Sequence, residues 1–375
     1  MNRYVFFRWV AILLAMTLLP CSALGEGGAV RTQVVTVQYD GGTVGRCAVP
    51  ADCRVQSTVS CCGNGQSLGY PVQLFIDAIS ADQRTRYSYC STMGFIQVLD
   101  YSMNGTPIKV HQDGQWDYDT MTPMRTLTDA AGVADRLISD MFPNLQIAPI
   151  AQEPIPDDMQ EQIRQHVQFM YDQMCSLTAY DNSIRVDDAY YDIAERTYRF
   201  QLNGEAYCAT ITTAVEAMQM TMSAPSGFGP VNFSYISWSV PFAYGVFAPE
   251  AEFDEASAAY GLFVLNTSAS DSFVLNCQEL SNQIRESVLS SRSLTGVESY
   301  CHNSVSGLSD SDDDYSEERF SDYLFDLNDY TLDGGAHVKV PTNYDYVYAD
   351  DAGNVYATDS ASDVPAGMQR LEKNH

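Results

Sequence analysis

Basic residues are scarce in this chain of 375 residues. Lysine and arginine together number 20 against 48 aspartates and glutamates, which gives a formal net charge of −28. Only three of the bases are lysines, and the arginines are scattered singly. Binding to nucleic acid or to an anionic membrane surface needs clustered positive charge. The composition therefore excludes both partners and favours a soluble extracytoplasmic protein whose field attracts cations or basic partners.

Signatures of the common enzymes are also missing. The sequence contains no GxSxG, SxxK, HExxH, Walker or GxGxxG motif, which removes the commonest hydrolases, proteases and nucleotide-binding proteins. Histidines are few, and the adjacent pair Cys301 and His302 lacks an orienting third group. His166 lies off the apolar stripe of a predicted helix, so we expect it to be solvated. The sequence favours a non-catalytic protein.

Long apolar runs are absent except near the N-terminus. Arg3 and Arg8 are followed by an apolar run over residues 9–19, which Pro20 ends. This run is shorter than the ~20 residues that cross a bilayer. It has instead the order of a secretory signal peptide, with a basic start before a short apolar segment. No membrane span is predicted in the mature chain.

The residues after this run indicate where the chain is processed. Small residues at positions 23 and 25 predict a signal peptide over 1–25, cleaved between Gly25 and Glu26. Cys21 supplies an alternative, in which lipid is attached to that cysteine and the chain is anchored to the envelope. Pro20 departs from the small residue that such a lipid-attachment motif has before its cysteine. We therefore expect a secreted or extracytoplasmic protein, with the lipid anchor as the alternative.

Nine cysteines remain after Cys21. In an exported protein an odd number predicts some disulfides and at least one free or intermolecular thiol. Four of them lie between residues 47 and 62, without paired CxxC spacing and without a nearby histidine, which favours disulfides or buried thiols over zinc.

The first part of the mature chain, residues 26–150, reads as an antiparallel β unit. Turn residues at 40–42, 81–83 and 104–105 each stand between runs of alternating apolar residues, which predicts three hairpins. Apolar residues then recur at helical spacing over 127–141. We expect this amphipathic helix to cover the sheet of the same unit.

A second unit is predicted over residues 151–290, after a proline-rich joint. Pro156 is placed to open an amphipathic helix. Asn203 and Gly204 predict a two-residue hairpin turn, and two more helices open at Pro249 and Ser270. The predicted class is α+β, with antiparallel sheets, flanking amphipathic helices and a small C-terminal β module.

Acidic residues offer two weaker interpretations. Carboxylates at Asp187, Asp188, Asp192 and Glu195 could serve glycoside hydrolysis, which needs an acid and a base at controlled separation. Among 48 acids such pairs arise by chance, and a solvated face is the favoured interpretation.

An acidic Ser/Asp linker is predicted over residues 291–318. Three alternating aspartates in it mimic the first ligands of a calcium loop. Tyr315 stands where that loop needs glycine, and Ser321 where it needs a bidentate glutamate. We expect no other cofactor and only weak Ca²⁺ binding, at Asp310, Asp312 and Asp314.

Tyrosines mark the last segment, residues 319–375, which predicts a small β module. A turn at 351–353 places Tyr356 opposite Tyr348 on paired strands. Two interpretations stay open, since the tyrosines can form the core of the module or an exposed platform that stacks on sugar rings or a partner chain. The alternating pattern predicts four tyrosines on one face: Tyr344, Tyr346, Tyr348 and Tyr356.

Two stretches carry a resemblance to a known group. The first is Lys-Val-Pro-Thr-Asn-Tyr-Asp-Tyr-Val-Tyr at 339–348, with Gly-Asn-Val-Tyr at 353–356 and Thr-Asp at 358–359; the second is 240–266, with Ala-Pro-Glu at 248–250. They resemble uncharacterised proteins secreted by anaerobic Gram-positive bacteria, which implies export and supplies no mechanism.

The sequence thus predicts an exported, non-catalytic binding or interaction protein at the cell surface, with an unidentified ligand or protein partner. The alternatives are a carboxylate-dependent extracytoplasmic hydrolase acting on glycans and an envelope-anchored structural lipoprotein.

Overall fold

The chain was studied as a computed structural model, which describes residues 30–39, 42–61, 72–107, 113–117, 122–152, 157–179, 183–226, 229–270, 272–277, 327–332, 335, 337–341, 344–350, 353–358, 360 and 367–374. Its long helices are α1 (Ala130–Met141), α2 (Asp157–Thr178) and α3 (Phe253–Asn266), the last preceded by a 3₁₀ turn at Glu250–Glu252. The strands are β1 (Val30–Tyr39), β2 (Gly42–Pro50), β3 (Arg54–Cys61), β4 (Val72–Ile79), β5 (Arg86–Cys90), β6 (Met93–Met103), β7 (Thr106–Pro107), β8 (Trp116–Asp117), β9 (Thr122–Pro123), β10 (Ala148–Gln152), β11 (Ile184–Leu202), β12 (Glu205–Ser226), β13 (Gly229–Val240), β14 (Ala243–Pro249), β15 (Ser268–Ala269), β16 (Leu327–Thr331), β17 (His337–Pro341), β18 (Tyr346–Ala349), β19 (Asn354–Thr358) and β20 (Gln369–Arg370).

Two large antiparallel sheets organise these strands. The first has six strands in the order β15-β2-β1-β19-β18-β20. The second has ten, with β3-β4-β5-β14-β12-β13-β6-β7 along its main path and β11 and β10 joined to β12. Strands β16 and β17 form a separate hairpin, as do β8 and β9. The predicted α+β class, with antiparallel sheets and flanking helices, is confirmed.

Strand β12 is the centre of the ten-stranded sheet. It pairs with β11 from Glu205 to Met222 along one edge. Along the other edge its first half pairs with β14 and its second half with β13. The β11–β12 turn at Asn203 and Gly204 has positive φ angles of 53° and 85°, which suits the tight hairpin that the sequence predicted.

The predicted hairpins of the first unit are confirmed. Tyr39 pairs with Gly42 where β1 turns into β2, and Ala78 pairs with Tyr87 across β4 and β5. Asn104 and Gly105 both have positive φ between β6 and β7, although residues 108–112 of that hairpin lie outside the described part.

Helix α1 forms where the sequence predicted it but covers different strands. Its buried residues Ala134 and Ile138 pack among side chains of β11 and β12, including Tyr198. The expectation that it covers the strands of residues 26–120 is therefore wrong, apart from a contact with β6 at Met93 and Phe95. Amphipathic periodicity shows that a helix has a buried face, but it does not show which strands that face meets.

The main core lies on the opposite face of the ten-stranded sheet. It joins buried residues of β1 and β2, such as Val37 and Val49, to Leu74 of β4 and to Phe263 of α3. Helix α3 is buried on most of its surface because both large sheets contribute to this core. In the ten-stranded sheet β5 pairs with β14 and β6 pairs with β13, so one sheet takes strands from both sides of the proline-rich joint near residue 150.

Six cysteines are described with their side chains: Cys47, Cys53, Cys90, Cys175, Cys208 and Cys277. No disulfide joins two of these six, so the bridges predicted for an exported chain are not found among them. Cys47, Cys53 and Cys208 are buried, so they fill apolar space as small hydrophobic side chains do.

Candidate functional site

The strands at the C-terminal end place three of the four predicted tyrosines together. In the β18–β19 pair Tyr348 lies opposite Tyr356, as the turn predicted, and Gly353 in that turn has a φ of 79°. Tyr346 lies two residues before Tyr348 and therefore projects from the same face. These three tyrosines share one face of the six-stranded sheet.

Tyr344 does not share this face. It is buried in a cluster with Val347 and Val355, which alternate with the three tyrosines and so lie on the other side of the sheet. The expected alternation fails there because β18 begins only at Tyr346. Alternation of side chains holds within a strand and does not extend into the bend that precedes it.

Two arginines that the sequence pattern does not indicate complete the face. Because residues directly opposite each other in an antiparallel sheet project to the same side, the registers of β1, β19, β18 and β20 define a single row across four adjacent strands. In strand order the row consists of Arg31, Tyr356, Tyr348 and Arg370. We call these four residues together with Tyr346 the tyrosine–arginine face.

Exposure differs along the tyrosine–arginine face. Tyr348 is only 6% exposed, so it lies buried between its neighbours. Tyr346 and Tyr356 are half-buried, and Arg370 is exposed. The guanidinium carbon of Arg370 lies 4.9 Å from the centroid of the Tyr346 ring, within the range of a cation–π contact.

The other arginine is held more loosely. Its guanidinium nitrogen lies 3.9 Å from a carboxylate oxygen of Asp350, and the Arg31 side chain is 56% exposed. Asp350 is already committed to the β18–β19 turn, since it accepts hydrogen bonds from the backbone and side-chain nitrogens of Asn354 at 3.0 and 2.7 Å. A distant, exposed ion pair contributes little, so Arg31 can turn to a ligand at small cost.

The carboxylates considered for glycoside hydrolysis lie apart. Asp192 accepts a hydrogen bond from the backbone nitrogen of Ala130 at 2.8 Å, on the face that α1 covers. Glu195 is 6% exposed and accepts from the Thr212 hydroxyl at 3.0 Å, on the face of the main core. Burial raises the pKa of Asp192, against the hydrogen bond that stabilises its charged form. These two acids lie on opposite faces of one sheet and cannot flank one bond of a substrate.

The two neighbouring aspartates have local partners. Asp187 accepts a hydrogen bond from the Thr221 hydroxyl at 2.6 Å, and Asp188 accepts from the backbone nitrogen of Ala189 at 2.8 Å. For Asp187, burial tends to raise the pKa, but the hydrogen bonds from Thr221 and Arg185 outweigh it and lower the pKa. Asp187 is therefore held by partners on β11 and β12, and Asp188 by a backbone nitrogen of its own strand.

A buried polar pair that the sequence did not predict lies on the main-core face. His166 of α2 is 1% exposed, and its ring meets that of Tyr191 edge-on, with 4.9 Å between centroids. The expectation that His166 is solvated is wrong. It follows Ile163 by three residues and precedes Met170 by four, a helical spacing that puts it on the flank of the buried stripe.

Neither ring nitrogen of His166 has a hydrogen-bond partner among the described residues, and nor has the Tyr191 hydroxyl. Burial lowers the pKa of His166 from 6.5 to about 4, so the imidazole is neutral at neutral pH. Glu216 lies opposite Tyr191 and accepts from the Ser239 hydroxyl at 2.7 Å. This cluster is closed inside the core, and its chemistry is that of a buried neutral base.

Several predicted sites lie outside the described residues. They are the signal-peptide cleavage site at Gly25 and Glu26, the linker of residues 291–318 and the aspartates Asp310, Asp312 and Asp314. Within the described ranges no group of three or more His, Cys, Asp or Glu residues is arranged to hold a metal ion. No helix in these same ranges is long and apolar enough to cross a membrane.

Comparison with known proteins gives no relative. No protein-family model, no curated protein and no solved structure matches the chain.

Proposed function

We propose that this chain is an exported, non-catalytic protein that binds a glycan component of the cell surface on its tyrosine–arginine face. The observation that carries the proposal is the row from Arg31 to Arg370, which sets aromatic rings between two guanidinium groups on four adjacent strands. Export rests on the order of the N-terminal residues, with a basic start, a short apolar run and small residues before Glu26.

The chemistry of the face suits a sugar. Tyrosine rings offer an apolar surface with a polar hydroxyl at one edge, which matches the C–H faces and hydroxyl rim of a sugar ring. Each arginine adds a planar group with five N–H donors. The half-buried positions of Tyr346 and Tyr356 leave part of each ring accessible. A sheet also holds its side chains more rigidly than a loop does, which lowers the entropy lost on binding.

The test replaces one ring of the face. In the exported full-length protein, Tyr346→Ala should weaken binding to isolated cell envelopes by about tenfold, because one stacking ring and its contact with Arg370 are lost. Phe169→Ala is the matched control, since Phe169 is an aromatic residue on α2 with 37% exposure. Binding is measured by co-sedimentation over a range of protein concentrations, and thermal unfolding is followed for each variant.

Two results would contradict the proposal. If Tyr346→Ala binds envelopes as well as the unchanged protein does, the face is not the binding surface. If the variant instead loses stability cooperatively while the residual folded fraction binds normally, Tyr346 belongs to the core of the sheet.

The non-catalytic part of the proposal has its own test. Incubation of the protein with cell-wall glycans should release no new reducing ends, because Asp192 and Glu195 lie on opposite faces of the sheet and glycosidases need two carboxyl groups on either side of one bond. Release of reducing ends that Glu195→Gln abolishes would establish a hydrolase instead.

A further inference from the structure

The charge at both ends of the row points to the class of ligand. Arg31 and Arg370 are both exposed, and three strand spacings of about 4.8 Å put their backbones roughly 14 Å apart. Two exposed arginines stand at the ends of the tyrosine row in a chain that has only 20 basic residues against 48 acidic ones. We propose that the glycan is acidic, with carboxylates or other anionic groups that pair with these two arginines; this inference rests on the proposed function.

Arg370 has its charge available for such a ligand. It forms no ion pair with any described carboxylate, and its described contact is with the ring of Tyr346. That contact holds the guanidinium along the face while its N–H donors remain free to point outward. Guanidinium groups bind carboxylates through two parallel hydrogen bonds, and such charge-assisted bonds are stronger than those between neutral groups.

Arg31 is available for a different reason. Its contact with Asp350 is at 3.9 Å with the arginine more than half exposed, so water competes for it. A ligand carboxylate at hydrogen-bond distance would replace that contact with a closer one, while Asp350 keeps its bonds to Asn354. Beyond roughly 8 Å the field of the acidic chain is screened at physiological salt, so the short-range pairs decide the preference.

The experiment compares two forms of one sugar chain. Oligogalacturonate carries a carboxylate on each sugar, and its full methyl ester has the same rings without charge. By isothermal titration at 0.15 M salt, which roughly matches physiological ionic strength, the unchanged protein should bind the acid form at least about tenfold more tightly than the ester. Higher salt should weaken binding of the acid form and leave the ester unaffected.

The variant Arg31→Gln/Arg370→Gln should lose this preference and bind both forms equally. Arg164→Gln/Arg185→Gln is the matched control, since it removes two arginines that are 71% and 73% exposed elsewhere on the molecule. The control should keep the preference for the acid form. Thermal unfolding of both double variants shows that the sheets are intact.

The outcomes separate this inference from the proposed function. If the unchanged protein binds the acid and the ester equally, and Tyr346→Ala binds neither, the inference of an acidic ligand is overturned. The proposal of a glycan-binding face then stands. A preference for the acid form that survives in Arg31→Gln/Arg370→Gln would overturn the same inference. Envelope binding through the face, without binding to either oligosaccharide, would also overturn the inference of an acidic ligand. Envelope binding that Tyr346→Ala leaves unchanged would refute the proposed function.

Discussion

Burial of His166 predicts how the stability of the protein depends on pH. In the folded chain burial lowers the pKa of this imidazole from 6.5 to about 4, whereas in the unfolded chain the ring titrates near its ordinary value. Between these two values the unfolded state binds more protons than the folded state. The free energy of unfolding must therefore fall as the pH falls through this window.

The size of the effect follows from the same pKa. The stabilisation is fully present above pH 6.5 and is lost as the pH falls to about 4. At about 1.4 kcal/mol per pH unit the total is roughly 3 kcal/mol. Folded proteins have free energies of unfolding of roughly 5–15 kcal/mol, so this is a measurable share.

Urea unfolding at several pH values between 7 and 4 measures how the free energy of unfolding changes with pH. This range of pH roughly spans the titration of an imidazole. The comparison is His166→Phe, which keeps a ring against Tyr191 and removes the proton-binding nitrogens. Asp187, with a lowered pKa, and Asp192, with a raised one, titrate in both proteins, so their contributions cancel in the difference. The unchanged protein should lose about 3 kcal/mol more than the variant does over this range.

Equal slopes for the two proteins would refute the reasoning, because the imidazole would then titrate alike in the folded and unfolded states. The same conclusion would follow if the ring signals of His166 in a proton NMR titration moved with a midpoint near 6.5 while the protein stayed folded. Either result would mean that water reaches the ring.

Three further outcomes are expected. Asp129→Ala should lower stability by about 1 kcal/mol, because the Asp129 carboxylate accepts a hydrogen bond from the backbone of Gly132 at 2.7 Å at the start of α1, whereas Asp140→Ala at the exposed end of that helix should change urea unfolding little. Gly45→Ala should lower the melting temperature, because a Cβ there would overlap the carbonyl oxygen of Ser268 across the β2–β15 pair; an unchanged melting temperature would show that the pair shifts freely. N-terminal sequencing of the exported chain should begin at Glu26, and a lipid-modified Cys21 would contradict this.

The hairpins were predictable because their signals are local. A two-residue turn such as Asn203–Gly204 needs positive φ at both positions, and few residue types supply it without strain. The turn then fixes the register of the strands on both sides, which is why Tyr348 faces Tyr356 as predicted.

The tyrosine–arginine face was only partly predictable, because it depends on partners far apart in the chain. Nothing in the alternation around Tyr356 indicates that β1 lies beside β19, so the sequence could not show that Arg31 belongs to this face. His166 was misjudged for another reason. Its position off the apolar stripe of the helix suggested solvent, but that position is on the flank of the buried stripe, where His166 makes no described hydrogen bond and packs against Tyr191.

The pairing of β1 with β19 has a consequence for how the chain folds. Residues Val30 to Gln33 pair with residues Asn354 to Ala357, so one side of β1 waits for a strand that is made much later in synthesis. Contacts between such distant segments carry a large loop-closure cost and form slowly. Until β19 arrives, the β1–β2 hairpin has an open edge that can pair with other chains. A chaperone that covers this edge until β19 is made would therefore raise the yield of folded protein without changing its stability.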